Sequence, residues 1–476
     1  MTDGTLDAVV VGAGPNGLAA AITLARAGRR VHVVEAAPTI GGGTRTQELT
    51  LPGFRHDVCA TVLPLTLASP FFRSLDLARH GVRFVEPDAP LAHPLGGDRV
   101  ALLERSVAAT AAGLSAHDAH AWRALFGPLS RDAGQLATEL LGPVVHVPRH
   151  PLALARFGFP AVRSAAGLAS SRFRDDEARA LFTGLAAHSM LDLRRPVSAA
   201  FGLVLGMLAH AVGWPFIEGG TATLAAALAA ELLEAGGTIE VDRPIRSSAE
   251  LPSARVVVLD TSPRDALAIA GERLGPSIRR ALEAYRYGSG VFKVDWALDG
   301  PIPWSAPAAA RAATVHLGGT WDRMVAGEAD VAAGRHPDEP FTLLVQYDPW
   351  DPTRAPAGRT TAWAYCHVPA GSPVDMTQRL EAQVERVAPG FRDRILARHT
   401  MSPAAMEAHD ANYVGGDINV GIQDLRQLLA RPIARRDPYR LGAGIYLCST
   451  ATPPGGGVHG MGGVRAARSA LRHELR

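Results

Sequence analysis

Lysine is almost absent from this chain. Lysine and arginine together number 48 in 476 residues, and a single lysine, Lys293, is among them. Arginine at nearly every basic position reflects a codon or proteome bias of the source, which makes the surviving lysine informative. The basic residues are scattered and the formal net charge is +2, so no basic face or tail marks a nucleic-acid partner. Cysteine is scarce as well. Cys59, Cys366 and Cys448 form neither CxxC nor CxxxxC, which excludes a dithiol redox pair and a zinc ribbon. Three cysteines cannot all pair, so a reducing cytoplasm is expected. The 17 histidines contain no HExxH, and His188, His210, His316, His367 and His409 stand far apart. No metal site is expected, only hydrogen-bonded or surface histidines.

Long apolar runs are missing too. The nearest, PVSAAFGLVLGMLAHAVGWPF from Pro196 to Phe216, has no charge apart from titratable His210, but glycines and a proline near each end interrupt it. It reads as a buried helix whose apolar face lines a pocket. A helix touching a bilayer is the weaker alternative, since no basic cluster accompanies it, and at most a peripheral membrane contact is expected. The N-terminus, MTDGTLDAVVVGAGPNG, is acidic ahead of an apolar run that soon breaks at glycine and proline, unlike a signal peptide.

What remains is a globular composition, 47% hydrophobic and 20% charged, on a chain long enough for two or more domains. It begins with a βαβ unit. LDAVVV (6–11) reads as a strand, GAGPNG as a turn, LAAAITLARAG as a helix ending at Gly28, and RRVHVVEA as a second strand ending at Glu35. Gly12, Gly14 and Gly17 supply GxGxxG around Ala13, Pro15 and Asn16. The first glycine permits the tight turn, the second the close approach of a pyrophosphate, the third helix-on-strand packing. The helix N-terminus then faces the phosphates. Glu35, 23 residues after Gly12 (35 minus 12), is placed with Ala36 to meet an adenosine ribose, and it would repel a ribose 2′-phosphate. Strand, helix and acid in register raise this above a lone glycine motif.

A second glycine turn, AAPTIGGGTRT, follows with Gly42, Gly43, Thr44 and Arg45, then LPGFRHD. Here the sequence resembles the FAD-dependent amine oxidase and phytoene dehydrogenase superfamily. The wording of LPGFRHD, GVFKVDWAL, DPTRAPAG and PPGGGVHGMGG is most similar to its phytoene-dehydrogenase-like branch, named for a pyridine nucleotide-disulfide oxidoreductase domain. The resemblance implies an α/β fold: a Rossmann-like FAD-binding domain of glutathione-reductase type with an inserted α+β substrate domain. The expected division is 1–71, 214–284 and 436–476 for the FAD domain. A helical part at 72–213 and a β-rich part at 285–435 then form the substrate domain. It further implies noncovalent FAD whose pyrophosphate touches the second glycine turn, and a strand near the adenine around Val241 to Ile245. The last helix, near Gly460, Met461 and Gly462, would meet pyrophosphate and ring. Ser449 and Thr450 stand where many relatives carry an acid.

Lys293 lies in a strand that alternates Val291, Lys293 and Asp295 with Phe292, Val294 and Trp296. By the resemblance it holds a water against the flavin N5 atom and is the catalytic residue. A buried ammonium needs a partner such as Asp295; the alternative is a surface lysine on a sheet edge. Trp214, Phe216, Trp296, Trp363 and Tyr365 serve either the pocket wall or the core. The expected function is hydride transfer to flavin from an apolar, unsaturated, polyene or isoprenoid-like substrate, as a desaturase or a redox-neutral isomerase. An amine oxidase releasing hydrogen peroxide and a prenyl-binding protein without catalysis are the alternatives. The residues leave the oligomeric state and the electron acceptor open.

Overall fold

The structure, a computed structural model, describes residues 6–476; the acidic stretch before Leu6 lies outside the described residues. A six-stranded sheet runs in the order Arg440–Gly442, Ile445–Leu447, Ala254–Leu259, Leu6–Val11, Val31–Val34, Thr238–Glu240. All its pairings are parallel except that of the first two strands. The central strands are valine-rich and buried because helices cover them, as parallel sheets require. Two of those helices, Pro15–Arg26 and Met461–His473, meet at Gly463, where a Cβ would stand 1.9 Å from the Asn16 carbonyl oxygen. Strands from the beginning, middle and end of the chain therefore build one α/β layer.

The second sheet has seven strands in the order Ile395–Met401, Gly290–Leu298, Thr360–Val368, Thr342–Gln346, Ala312–Leu317, Ala89–Gly96, Arg99–Leu103. It is antiparallel apart from the pairing of Ala312–Leu317 with Ala89–Gly96. Its last two strands fall in the segment read as helical. APLAHPLG hides its strand because Pro90 and Pro94 remove ladder donors, and the register shifts between Pro94 and Gly96. The strand expected over Val241–Ile245 is also displaced. Thr238–Glu240 ends before Asp242, which takes a left-handed φ of 55°, and Pro244 follows, so Ile245 sits in irregular chain.

Helices between Val107 and Ala211 pack against this sheet. The apolar run forms the helix Ser198–Ala211, and its glycines have a packing cause. A Cβ at Gly206 would stand 2.4 Å from the Phe126 ring and one at Gly202 would stand 3.1 Å from the Phe182 ring. His210 accepts a hydrogen bond from Trp122 Nε1 (3.1 Å). Among the described residues no helix is long and apolar enough to cross a membrane.

Candidate active site

One cavity of about 1320 Å³ runs from the first glycine turn to the helices of the second layer. At its polar end Gly12 has φ +103°, and a Cβ at Gly17 would stand 2.1 Å from the Gly12 carbonyl oxygen, so the turn closes only with glycines. Gly42 of the second glycine turn presses on the first, its notional Cβ 3.3 Å from Gly14 Cα. Glu35 is buried at the end of its strand and gathers this end. The Ala13 N–H donates to its Oε2 (2.7 Å), and the Ala37 N–H and Arg45 Nη2 donate to its Oε1 (2.9 and 3.2 Å). An ionised carboxylate has about four acceptor positions, so room remains for a ribose hydroxyl. Arg45 also donates to the Thr39 carbonyl (2.8 Å) and the His409 carbonyl (3.3 Å), which fixes its guanidinium at the wall.

Asp260, at the end of the strand Ala254–Leu259, lies against the first glycine turn, and the Gly17 N–H donates to its Oδ2 (2.8 Å). Burial raises its carboxyl to about 7, and the charges of Asp410 and Glu35 add to the rise. Sequence reasoning missed it; its one signal is that VVVL ends in an acid, which gains meaning only beside Gly17.

Of the residues predicted to bind a cofactor, Gly12, Gly14, Pro15, Asn16, Glu35, Ala36, Gly42, Gly43, Thr44, Arg45 and Ile245 line the cavity. Ala13 and Gly17 shape the turn from behind. Gly460, Met461 and Gly462 are off the wall, which Gly456 to His459 supply instead. The Met461 N–H already donates to His459 Nδ1 (3.1 Å), and a Cβ at Gly462 would stand 2.5 Å from the Cys448 carbonyl oxygen. That helix end is spent on packing and capping. The polar end fits a dinucleotide: no residue at the N-cap bonds the helix Pro15–Arg26 through its side chain, and Asn16 Oδ1 is buried on the wall without a partner.

Lys293 is 1% exposed and lies in the second strand of its sheet, flanked on both sides, so it is not a surface lysine on an edge. Its Nζ donates to Asp295 and stands 5.0 Å from the centre of the Trp363 ring. His56 Nδ1 lies 3.5 Å from Asp295 Oδ1, and His399 Nδ1 3.8 Å from its Oδ2. Burial works to raise the Asp295 carboxyl, but the Lys293 ammonium and the histidines outweigh it and hold it below the ordinary carboxylate range. Lys293 is not on the cavity wall; Cys59, Trp363 and Tyr365 of its surroundings are. Burial pushes the Cys59 thiol up to about 11, against a hydrogen bond with Tyr413 and the Lys293 charge.

The other end of the cavity is apolar. The helix Ser198–Ala211 supplies Phe201, Val204 and Leu205, and the sheet supplies Leu343, Trp363 and Tyr365. The last two rings stack, centres 5.9 Å apart and planes 16° apart. Trp214 also lines this end, whereas Phe216 and Trp296 are core. Histidines far apart in sequence meet here. His188 lies on the wall with its Nε2 3.1 Å from His316 Nε2. Burial takes His188 down to about 3 and His316 well below its usual value, so the pair is neutral.

Residues 10–75 match the family described as the NAD(P)-binding Rossmann-like domain. The mouse protein named pyridine nucleotide-disulfide oxidoreductase domain-containing protein 2 is 26% identical, the match covering 98% of this chain and 93% of that protein. One of the limonene dehydrogenase subunits of Castellaniella defragrans is 40% identical over 17% of this chain and 15% of its own. Among solved structures, an oxidoreductase from Methanosarcina mazei superposes with a TM-score of 0.65 at 16% identity, over 98% of this chain and 100% of that one. A triple mutant of putrescine oxidase does so with a TM-score of 0.63 at 17% identity, over 98% of each. The matched nucleotide-binding segment and the relative aligned along nearly the whole chain agree with the fold: residues 10–75 are a Rossmann-like dinucleotide-binding segment, and the whole chain shares the fold of these oxidoreductases.

Proposed function

We propose that the protein is an FAD-dependent oxidoreductase of the cytoplasm that holds its flavin noncovalently and takes hydride from an apolar, unsaturated substrate of polyene or isoprenoid type, with net desaturation or redox-neutral isomerisation. One observation carries this reading: the paired glycine turns and a wall of Phe201, Val204 and Leu205 open into the same cavity. Bound flavin would supply the two-electron acceptor. Glu35 is placed to take the ribose hydroxyls, and the start of the helix Pro15–Arg26, with Asn16, to face the pyrophosphate. Arg45, its guanidinium anchored on three sides, adds a fixed positive charge. A Cys59 thiol raised to about 11 stays protonated near neutral pH, so it does not offer a thiolate for covalent attachment. The apolar walls exclude water and leave a charged substrate without a free counter-ion; Glu139, the carboxylate nearest that end, is already taken by His146 and by the Arg149 and His150 N–H groups. His188, neutral, offers a hydrogen bond and no charge. Lys293 sets a positive charge behind Trp363, where it would favour charge build-up on the far side of that ring.

The stacked pair Trp363 and Tyr365 supports a second reading, an amine oxidase whose aromatic walls hold the amine. Anaerobic mixing of the oxidised protein with polyenes, amines and alcohols tests both. Bleaching of the flavin band by polyenes is expected. Bleaching by amines alone, with oxygen consumed on re-aeration, moves the assignment to amine oxidation. A well-folded preparation that neither carries nor binds flavin overturns both and favours the prenyl-binding alternative.

A further inference from the structure

Six of the exposed large apolar side chains crowd into one short segment. Val144, Val145, Val147, Leu152, Phe159 and Val162 are between 54% and 90% exposed; no other stretch of the described chain gathers more than two such residues. Exposed apolar area of this density marks an interaction surface. The helix Pro151–Ala161 runs through it with two apolar faces. Leu154, Phe157 and Ala161 point into the cavity, while Leu152 and Phe159, seven residues apart and so on one face, point out. Val144 and Val162 are exposed and line the cavity too. The segment is therefore the rim of the cavity's apolar end.

Its charge is of one sign. Between Glu139 and Asp175 there is no carboxylate, while Arg149, Arg156, Arg163, Arg172 and Arg174 contribute five positive charges. The formal net charge of the whole chain is +2, so everything outside this segment sums to −3 (2 minus 5). Arg149 is exposed, Arg156 is exposed and paired with Asp132 (2.8 Å), and half-buried Arg163 donates to the Gly167 carbonyl (2.8 Å). Exposed apolar side chains interspersed with Arg149, Arg156 and Arg163 suit the headgroup layer of an anionic bilayer. A second copy suits it less, because a two-fold contact would set arginine against arginine with no acid in the segment to answer.

We propose that residues 144–162 dock on anionic lipid and open the cavity's apolar end toward the bilayer, from which the substrate enters. The expectation of at most a peripheral membrane contact rested on the run Pro196–Phe216, which the structure packs against the cavity; the basic and apolar cluster lies instead in the loop and helix of 144–162. The entry of substrate rests on the function proposed above. Lipid docking is measured without turnover, so the two readings fail separately.

The test is sedimentation of the flavin-loaded protein with phosphatidylcholine vesicles with and without phosphatidylserine. The wild type should pellet with the anionic vesicles and weakly with the neutral ones. Val147→Glu/Phe159→Glu should lower that binding by about tenfold or more, with thermal melting and flavin content unchanged. Leu233→Glu, an exposed apolar site remote in sequence, should bind as the wild type does. A wild type that stays in the supernatant with anionic vesicles overturns the proposal. So does binding indifferent to the double substitution, or a concentration-dependent dimer that the same substitutions disperse.

Discussion

Asp57 and Arg354, 297 positions apart in the chain, meet in a buried ion pair, Arg354 Nη2 donating to Asp57 Oδ2 at 3.0 Å. Both motifs, LPGFRHD and DPTRAPAG, are thereby joined. Asp57 also accepts from Thr46 Oγ1 (2.7 Å) and the Thr221 N–H (2.9 Å), while Arg354 Nε donates to Asp351 (2.8 Å) and its guanidinium lies 4.1 Å from the Tyr347 ring centre. The pair ties the nucleotide-binding layer to the second sheet.

Arg354→Met should strip a buried carboxylate of its counter-charge and destabilise the protein by about 3 to 5 kcal/mol. A lower denaturant midpoint at unchanged slope would register it. The double variant Asp57→Asn/Arg354→Met should cost less than the two single changes summed; strict additivity would show that the pair is not coupled.

Lys293→Met keeps length and removes the charge. FAD should stay bound, while turnover or flavin reoxidation falls at least about tenfold, a barrier change of roughly 1.4 kcal/mol. Since Asp295 loses its ammonium partner, some stability should go as well, and Lys293→Met/Asp295→Asn should recover stability without recovering the rate. Wild-type rates in both half-reactions would leave the lysine a purely structural role. Lys293→Arg should not rescue, because a wide planar guanidinium does not fit a site shaped for an ammonium.

Short-range spacing made part of this protein readable in advance. The strand Leu6–Val11, the glycine turn and Glu35 are separated by fixed numbers of residues, and the structure brings the polar end together from them. What depends on distant chain was not readable. Asp260 gains its place only when a strand from the middle of the chain lies beside Leu6–Val11, and the His188–His316 contact spans two layers. Prolines 90 and 94 masked a strand. Gly460 to Gly462 matched a phosphate turn in composition, but the ring of His459 caps that helix, a choice no glycine pattern reveals.

Glu35→Arg should strip FAD. It removes the acceptor of the Ala13 and Ala37 N–H groups and sets a second guanidinium beside Arg45; each charge-assisted hydrogen bond is worth roughly 1.5 to 3 kcal/mol. The ratio of flavin to protein absorbance after gel filtration reads the loss. Tight retention would contradict a ribose contact at Glu35.

Asp260 gives a pH signature. Its carboxyl keeps a proton up to about 7 in the folded chain, against about 3.9 when unfolded. Between those values the native state binds the extra proton. This contribution to stability is complete below the unfolded value and is lost as pH rises through about 7, at roughly 1.4 kcal/mol per pH unit across the window. Asp260→Asn cannot lose a proton and still accepts from the Gly17 N–H. Melting of flavin-free protein should therefore show the variant gaining on the wild type from about pH 5 to about pH 8; a constant offset would place the titration elsewhere.

A chain with one lysine, 1% exposed, is also an unusual target for reagents. Acylating dyes added to the native protein find, on the described surface, no lysine side chain to attack. Lys293 becomes reactive only when the sheet around it opens, so the rate at which it is acylated clocks that opening much as amide exchange would. The same side chain that anchors Asp295 is a built-in, single-site reporter of unfolding that needs no engineered label.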